Sequence, residues 1–177
     1  MNFIAMDFET ASAKRYSAVS LGLAVVRDNK LVDEFYTLIK PDSFFDKRNT
    51  RIHGITEADV RNAPIFPEVW EQIQQFYTPN QLVIAHNAPF DNGVLRETLT
   101  HYDIDLPHYL SLDTVRTSRK LYPELPNHKL NTVAAALGID LKHHHNALND
   151  TVAAAEILVR QATDFGVKPL KQLVKVI

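Results

Sequence analysis

The chain contains no cysteine, which excludes disulfide bonding and any metal or redox chemistry built on thiolates. It has no apolar run long enough to span a bilayer, and no basic segment followed by an apolar stretch at the N-terminus. The expectation is therefore no membrane and a cytoplasmic location. An excess of either charge is also missing: 19 Lys+Arg against 21 Asp+Glu give a formal net charge of −2. That argues against a tightly binding, non-specific nucleic-acid coat protein. It remains compatible with an enzyme that holds nucleic acid transiently, since bound cations would offset acidic charge. Internal repeats, low-complexity segments and domain boundaries are absent as well. What is present is 177 residues, 45% of them hydrophobic, enough for one globular domain over residues 1–177 with its own core.

Three strands open the chain. Residues 2–10 carry Phe3, Ile4, Met6 and Phe8, residues 18–26 carry Val19, Leu21, Leu23 and Val25, and residues 31–39 follow a turn at Asp28-Asn29-Lys30. Short links between them predict an antiparallel meander. Residues 41–63 read as irregular, and their length suggests a functional loop. Helical spacing marks residues 64–77, with Phe66, Val69, Trp70, Ile73 and Phe76 on one side. A fourth strand at residues 82–85 leads into a helix through about Leu99, and a brief fifth strand at 109–112 leads into a helix from Asp113. Further helices are expected over 127–137, closed by Gly138, and over 147–165. In the tail, 164–177, Leu170, Leu173, Val174 and Ile177 predict one more helix with an apolar side, packed on the domain or available to a partner. The fold class is α/β, a mixed five-stranded sheet flanked by helices.

The first strand holds an energetic oddity. Asp7 and Glu9 project from the same face about 7 Å apart, in an element type from which acids are depleted. Unpaired buried charge is costly, so these two carboxylates imply either a cation or a solvated edge. Asp91 falls in the first turn of the helix after the fourth strand, where Pro89 suits a first helical position. Asp150 falls in the first turn of the long helix, on the same side as Ala153, Ala154, Ile157 and Leu158. That apolar side must face the sheet, so Asp150 points inward, and the small Ala153 and Ala154 allow close approach. His145 stands just ahead of this helix. Four carboxylates and a histidine on separate elements suit two-metal phosphoryl chemistry with Mg²⁺ or Mn²⁺. A histidine with a pKa near ~6.5 can take a proton from attacking water.

Three segments carry a family likeness: Asp7-Phe8-Glu9-Thr10, His86-Asn87-Ala88-Pro89-Phe90-Asp91 and His145-Asn146-Ala147-Leu148-Asn149-Asp150. They resemble the motifs of the DEDDh 3′–5′ exonucleases, and most nearly the proofreading epsilon subunit of bacterial DNA polymerase III. The H-x-x-x-x-D spacing selects the histidine subclass over its tyrosine sibling. His53-Gly54-Ile55-Thr56 and His128-Lys129-Leu130 add secondary likenesses, and the resemblance spans about residues 2–163.

The resemblance implies a ribonuclease H-like fold and release of nucleoside 5′-monophosphates from 3′ ends. It implies Asp7, Glu9, Asp91 and Asp150 as ligands of two Mg²⁺ or Mn²⁺ ions, with Asp7 bridging, and His145 as general base. Thr10 and Ala11 would meet the terminal nucleotide through their backbone, with His53 and Asn87 as further substrate contacts. Bracing of the Asp91 helix competes as the role of His86 and Asn87, and a loop salt bridge competes for His53 and Arg51. Phe8 and Phe90 read as core. Arg116, Arg119 and Lys120 either meet phosphates or form a solvated face. A zinc site at His143 and His144 is disfavoured because adjacent residues converge poorly.

Single-stranded or frayed DNA is the favoured substrate, with an exoribonuclease resembling ribonuclease T or oligoribonuclease as the alternative. A DNA polymerase is the implied partner, whereas the lack of a long C-terminal extension points to a stand-alone enzyme. Two other classes compete. A haloacid-dehalogenase-like phosphatase shares only the look of Asp7-Phe8-Glu9-Thr10 and has no use for the later motif. A catalytically silent nucleic-acid-binding module would not need all five residue types.

Overall fold

A computed structural model of the chain describes residues 1–141 and 145–177. The expectation for His143 and His144 lies outside the described residues. Phe3–Thr10 (β1), Ala18–Arg27 (β2) and Lys30–Leu38 (β3) form the antiparallel meander, and Leu82–Ala85 (β4) and Leu110–Asp113 (β5) join in parallel. A sixth strand, Lys175–Val176 (β6), pairs antiparallel with β5, so the order is β3-β2-β1-β4-β5-β6. The mixed α/β sheet is thus six-stranded, not five-stranded.

The sixth strand comes from the tail, where one helix was expected. Pro169 sits in the opening of a single helical turn, Lys168–Lys171, and the chain then turns extended. Lys175, Val176 and Ile177 run beside β5, whose outer edge would otherwise lack a partner. Valine and isoleucine favour that extended state. Leu170 is buried and Leu173 and Val174 pack against the same cluster, while Val176 is 78% exposed.

The loop over residues 41–63 also holds a short helix, Lys47–His53 (α1), that periodicity does not reveal because none of its residues is buried. Its caps define it instead. The Asp46 carboxylate accepts the Arg48 N–H at 2.8 Å, and Gly54 closes the helix at φ 78°. The remaining helices are Phe66–Ile73 (α2), Ala88–His101 (α3), Thr114–Leu121 (α4), Leu130–Leu137 (α5), Ala147–Phe165 (α6) and Lys168–Lys171 (α7). Among the described residues no helix is long and apolar enough to cross a membrane.

Strand alternation divides β1 between two cores. Ile4, Met6 and Phe8 face a cluster with Phe66, Val69, Trp70 and Ile73 of α2 and Val94, Leu95 and Leu99 of α3. Phe3 and Ala5 face the opposite cluster, with Ala153, Ala154, Ile157 and Leu158 of α6. Asp7 and Glu9 share the parity of Phe3 and Ala5, so they emerge on the α6 side where the apolar cluster gives out.

Candidate active site

Each carboxylate is delivered by a local reason. The parallel pairing of β1 with β4 runs through Ile4↔Val83 and Ala5↔Ile84, and β4 ends at Ala85. Beyond that end the Phe8 N–H is met by the Asp91 carboxylate, Oδ1 accepting at 2.9 Å. Asp91 is 1% exposed, and its place in the first turn of α3 is set by Pro89 at the opening of that helix. The side chain therefore extends the sheet where the neighbouring strand stops, and this brings it beside Asp7.

Asp150 arrives from the other side. Gly22 pairs with Asp7 across the ladder, and a Cβ on Gly22 would lie 2.4 Å from the Ala147 carbonyl oxygen. Only glycine lets the first turn of α6 rest directly on β2. The Thr151 hydroxyl then donates to the Gly22 carbonyl at 3.1 Å. Asn146 caps the helix by accepting the Asn149 N–H at 3.2 Å, and Asp150 Oδ2 accepts the His145 N–H at 3.0 Å. His145 is exposed and stands at φ 68°, in the left-handed region.

These placements put ligand atoms of Glu9, His145 and Asp150 all within 4.8 Å of one another. Asp7 lies alongside, raised by Coulombic contact with Asp91, Glu9 and Asp150. Burial is the largest cause of the perturbed titrations. It pushes Asp7 well above the carboxylate range and Glu9 up to about 8, the other acids adding to each shift. Burial likewise raises Asp91, against the pull of its bond from Phe8. Among the described residues no lysine or arginine lies within ion-pair distance of Asp7, Glu9 or Asp91. The Arg15 charge offsets part of the shift at Asp91, and the oxygen-rich donor set of these crowded acids fits hard divalent cations.

The other expected site residues are placed less uniformly. Thr10 and Ala11 are buried, and their carbonyls are engaged within the chain. The Thr10 oxygen accepts from Asn49 Nδ2 at 2.9 Å and from His53 Nε2 at 3.1 Å. The Ala11 N–H donates to Ser17 O at 2.7 Å, and its oxygen accepts the Asp46 N–H at 2.8 Å. Both backbone groups of Ala11 are thus engaged within the chain, the carbonyl keeping a second lone pair. The His53 Nδ1 accepts the Ile55 N–H at 3.0 Å, so the proton sits on Nε2 and the ring is neutral. Burial holds its pKa below the usual histidine value. Both ring nitrogens serve the loop around Thr10.

His86, two residues ahead of α3, ties the chain to α4 and to the segment leading into α5, with Nδ1 at 2.8 Å from Thr114 Oγ1 and Nε2 at 2.9 Å from His128 O. Asn87 is exposed at φ 78° and gives α3 no side-chain cap. Its N–H donates to Asp113 Oδ1 at 3.0 Å, the same oxygen that accepts the Val115 N–H at 2.9 Å to cap α4. Phe8 is core, and Phe90 packs at the margin of the same cluster.

Asn49 went unremarked in the sequence, and Asp113 was expected as the first residue of a helix rather than as its cap. Asp113 had a readable signal, as an acid directly before a helix. Gly22 also had one, as a lone glycine in an apolar strand.

The exonuclease family model (RNase T) matches residues 4–158. The DNA polymerase III PolC-type of Clostridium perfringens (strain 13 / Type A) is 34% identical over 172 residues, which is 96% of this chain and 11% of that protein. The chain thus spans about one ninth of the length of this relative. Exonuclease X in complex with 5′ overhanging duplex DNA superposes with a TM-score of 0.79 at 24% identity, covering 97% of this chain and 96% of that one. The nuclease domain of 3′hExo, a DEDDh family member bound to rAMP, superposes with a TM-score of 0.76 at 17% identity, covering 99% and 96%. With the carboxylates converging on one end of the sheet and the family match over most of its length, this chain belongs to the exonuclease family.

Proposed function

We propose that this exonuclease removes nucleoside 5′-monophosphates one at a time from the 3′ ends of single-stranded or frayed DNA. The observation that carries the reading is the convergence of Asp7, Glu9, Asp91 and Asp150, close enough to raise one another's titration, with the His145 ring beside Glu9 and Asp150. The four acids would hold two Mg²⁺ or Mn²⁺ ions. Such ions, when bound, supply electrostatic stabilisation of the attacking and leaving oxygens of an in-line displacement.

The chain's own groups do the rest. His145 accepts a proton at a ring nitrogen from the water whose oxygen bonds to phosphorus. The 3′ oxygen of the preceding nucleotide leaves with the electron pair of the broken P–O bond and is then protonated. Thr10 and Ala11 wall the pocket for the terminal nucleotide, held rigid by Asn49, His53 and Asp46. His53 and Asn87 flank that pocket. In this reading residues 1–177 form one exonuclease domain that works in the cytoplasm, and the PolC-type relative supports a DNA polymerase as partner. RNA is the second reading, supported by the 3′hExo domain bound to rAMP.

Purified protein with Mg²⁺ or Mn²⁺ should shorten a 5′-labelled strand in single-nucleotide steps, and Asp7→Ala should abolish this. Matched DNA and RNA oligonucleotides in that assay separate the two substrate readings. Intact ends on both, in metal-replete buffer, would sink the proposal.

A further inference from the structure

A second cluster of charge lies on the opposite flank of α3, and no motif accounts for it. A cleft of about 350 Å³ opens between α3, α4 and β6, and Arg15, Arg96, Arg116 and Lys175 line it. Asp113 is the one acid among its lining residues, and its Oδ1 is already occupied by two N–H donors. The excess is positive in a chain whose net charge is −2. Among the described residues no carboxylate lies within ion-pair distance of Arg116 or Lys175. Arg96 meets only Glu97, at 3.8 Å and largely in solvent.

The cleft is built rather than incidental. The Arg15 guanidinium occupies the space where Gly93 has no side chain; a Cβ there would come within 1.8 Å of Nη1. Nη1 donates to the Pro89 carbonyl at 3.0 Å, and the guanidinium sits 6.0 Å from the Phe90 ring centroid. Pro89 and Asn92, both lining the cleft, bracket Asp91 on either side along the chain. One helical turn thus serves the acidic cluster and the cationic cleft together. Of the basic residues clustered on α4, Arg116 lines the cleft and Arg119 does not, while Lys120 donates to Gln172 Oε1 at 2.6 Å.

We infer that this cleft is a phosphate-binding track, which holds the backbone of the nucleic-acid strand upstream of the end presented to the carboxylates. The inference rests on the exonuclease reading for the identity of the strand. Arginines fork onto phosphate oxygens, and such contacts are sequence-independent and weakened by salt. The cleft needs no metal, so its contribution survives chelation.

The test is fluorescence anisotropy of a 5′-fluorescein-labelled single strand of DNA in EDTA, over a salt series. The wild-type chain should bind with a steep salt dependence. Arg96→Gln with Arg116→Gln should make the slope of log K against log salt shallower by about 1.4, at ~0.7 per lost contact. Arg96→Lys with Arg116→Lys should restore most of it. An unchanged slope in the glutamine variant, no salt-sensitive binding by the wild type, or equal loss in the lysine variant would each overturn the track. So would a polyglutamate peptide that competes as well as unlabelled DNA, since that assigns the cleft to acidic peptide. The exonuclease reading is tested apart from this, by hydrolysis of thymidine 5′-p-nitrophenyl phosphate with Mn²⁺. That ester is too short to reach the cleft, so inactivity with strand binding intact would fault the reading and not the track.

Discussion

Gly22 lies directly beneath Ala147, with no room for a methyl group between β2 and the start of α6. Because Gly22 also pairs with Asp7, this contact fixes how closely Asp150 approaches the acidic strand. Gly22→Ala should lift the first turn of α6, at a cost of about 1–3 kcal/mol for an overpacked backbone contact. Activity should fall further than stability does. Thermal melting beside nuclease rate measures both, and a variant with normal rate would show that α6 tolerates the shift.

Titration of the acidic cluster has a defined sign. Glu9 moves from 4.5 to about 8 on folding, because of burial and its acidic neighbours. The folded chain therefore binds more protons than the unfolded chain between those values, and stability falls as pH rises through that window. Metal-free protein should melt at progressively lower temperature from about pH 4.5 to pH 8. Glu9→Gln should flatten that decline, as followed by calorimetry in EDTA. A melting temperature equally pH-dependent in the variant would count against the crowded cluster.

Divalent metal should reverse the same trend. Mn²⁺ at a fixed concentration, a hundredfold above its Kd at pH 8, should stabilise the fold by about 2.7 kcal/mol there and by less at pH 5, because protons compete for the same oxygens and raise Kd. Calorimetry with and without chelator reads this directly. Equal stabilisation of Asp7→Asn would place the metal elsewhere.

Removing the imidazole separates proton transfer from ion binding. His145→Ala should lower kcat by roughly 10²–10⁴-fold, the range of general-base catalysis. Mn²⁺ binding, followed by isothermal titration, should remain. Parallel loss of both would recast His145 as a ligand beside Glu9 and Asp150.

Asp113 joins two helices through one oxygen, so Asp113→Ala should cost about 0.5–2 kcal/mol from the α4 cap and also release Asn87. Asp113→Asn should retain most of the cap. Melting curves of the two variants measure the difference.

Much of this was legible in the chain because it rests on short-range pattern. The alternation in β1 places Asp7 and Glu9 on one face, and the Ala153/Ala154 side of α6 turns Asp150 inward. β6 was not legible: Val174 and Ile177 fit a helical stripe as well as a strand, and only the open edge of β5 decides between them. The cationic cleft was hidden for a related reason. Arg15, Arg96, Arg116 and Lys175 lie on four separate elements, and no local spacing joins them. α1 escaped notice because periodicity finds buried faces and this helix has none.

The docking of α6 on Gly22 also has a consequence in time. During synthesis the acidic strand leaves the ribosome well before the helix that bears Asp150. A half-made chain therefore carries Asp7 and Glu9 without their later partners, and cannot assemble the cluster. Whatever this chain cuts is safe from it until the long helix has come down, and the appearance of nuclease activity would report the docking of that helix.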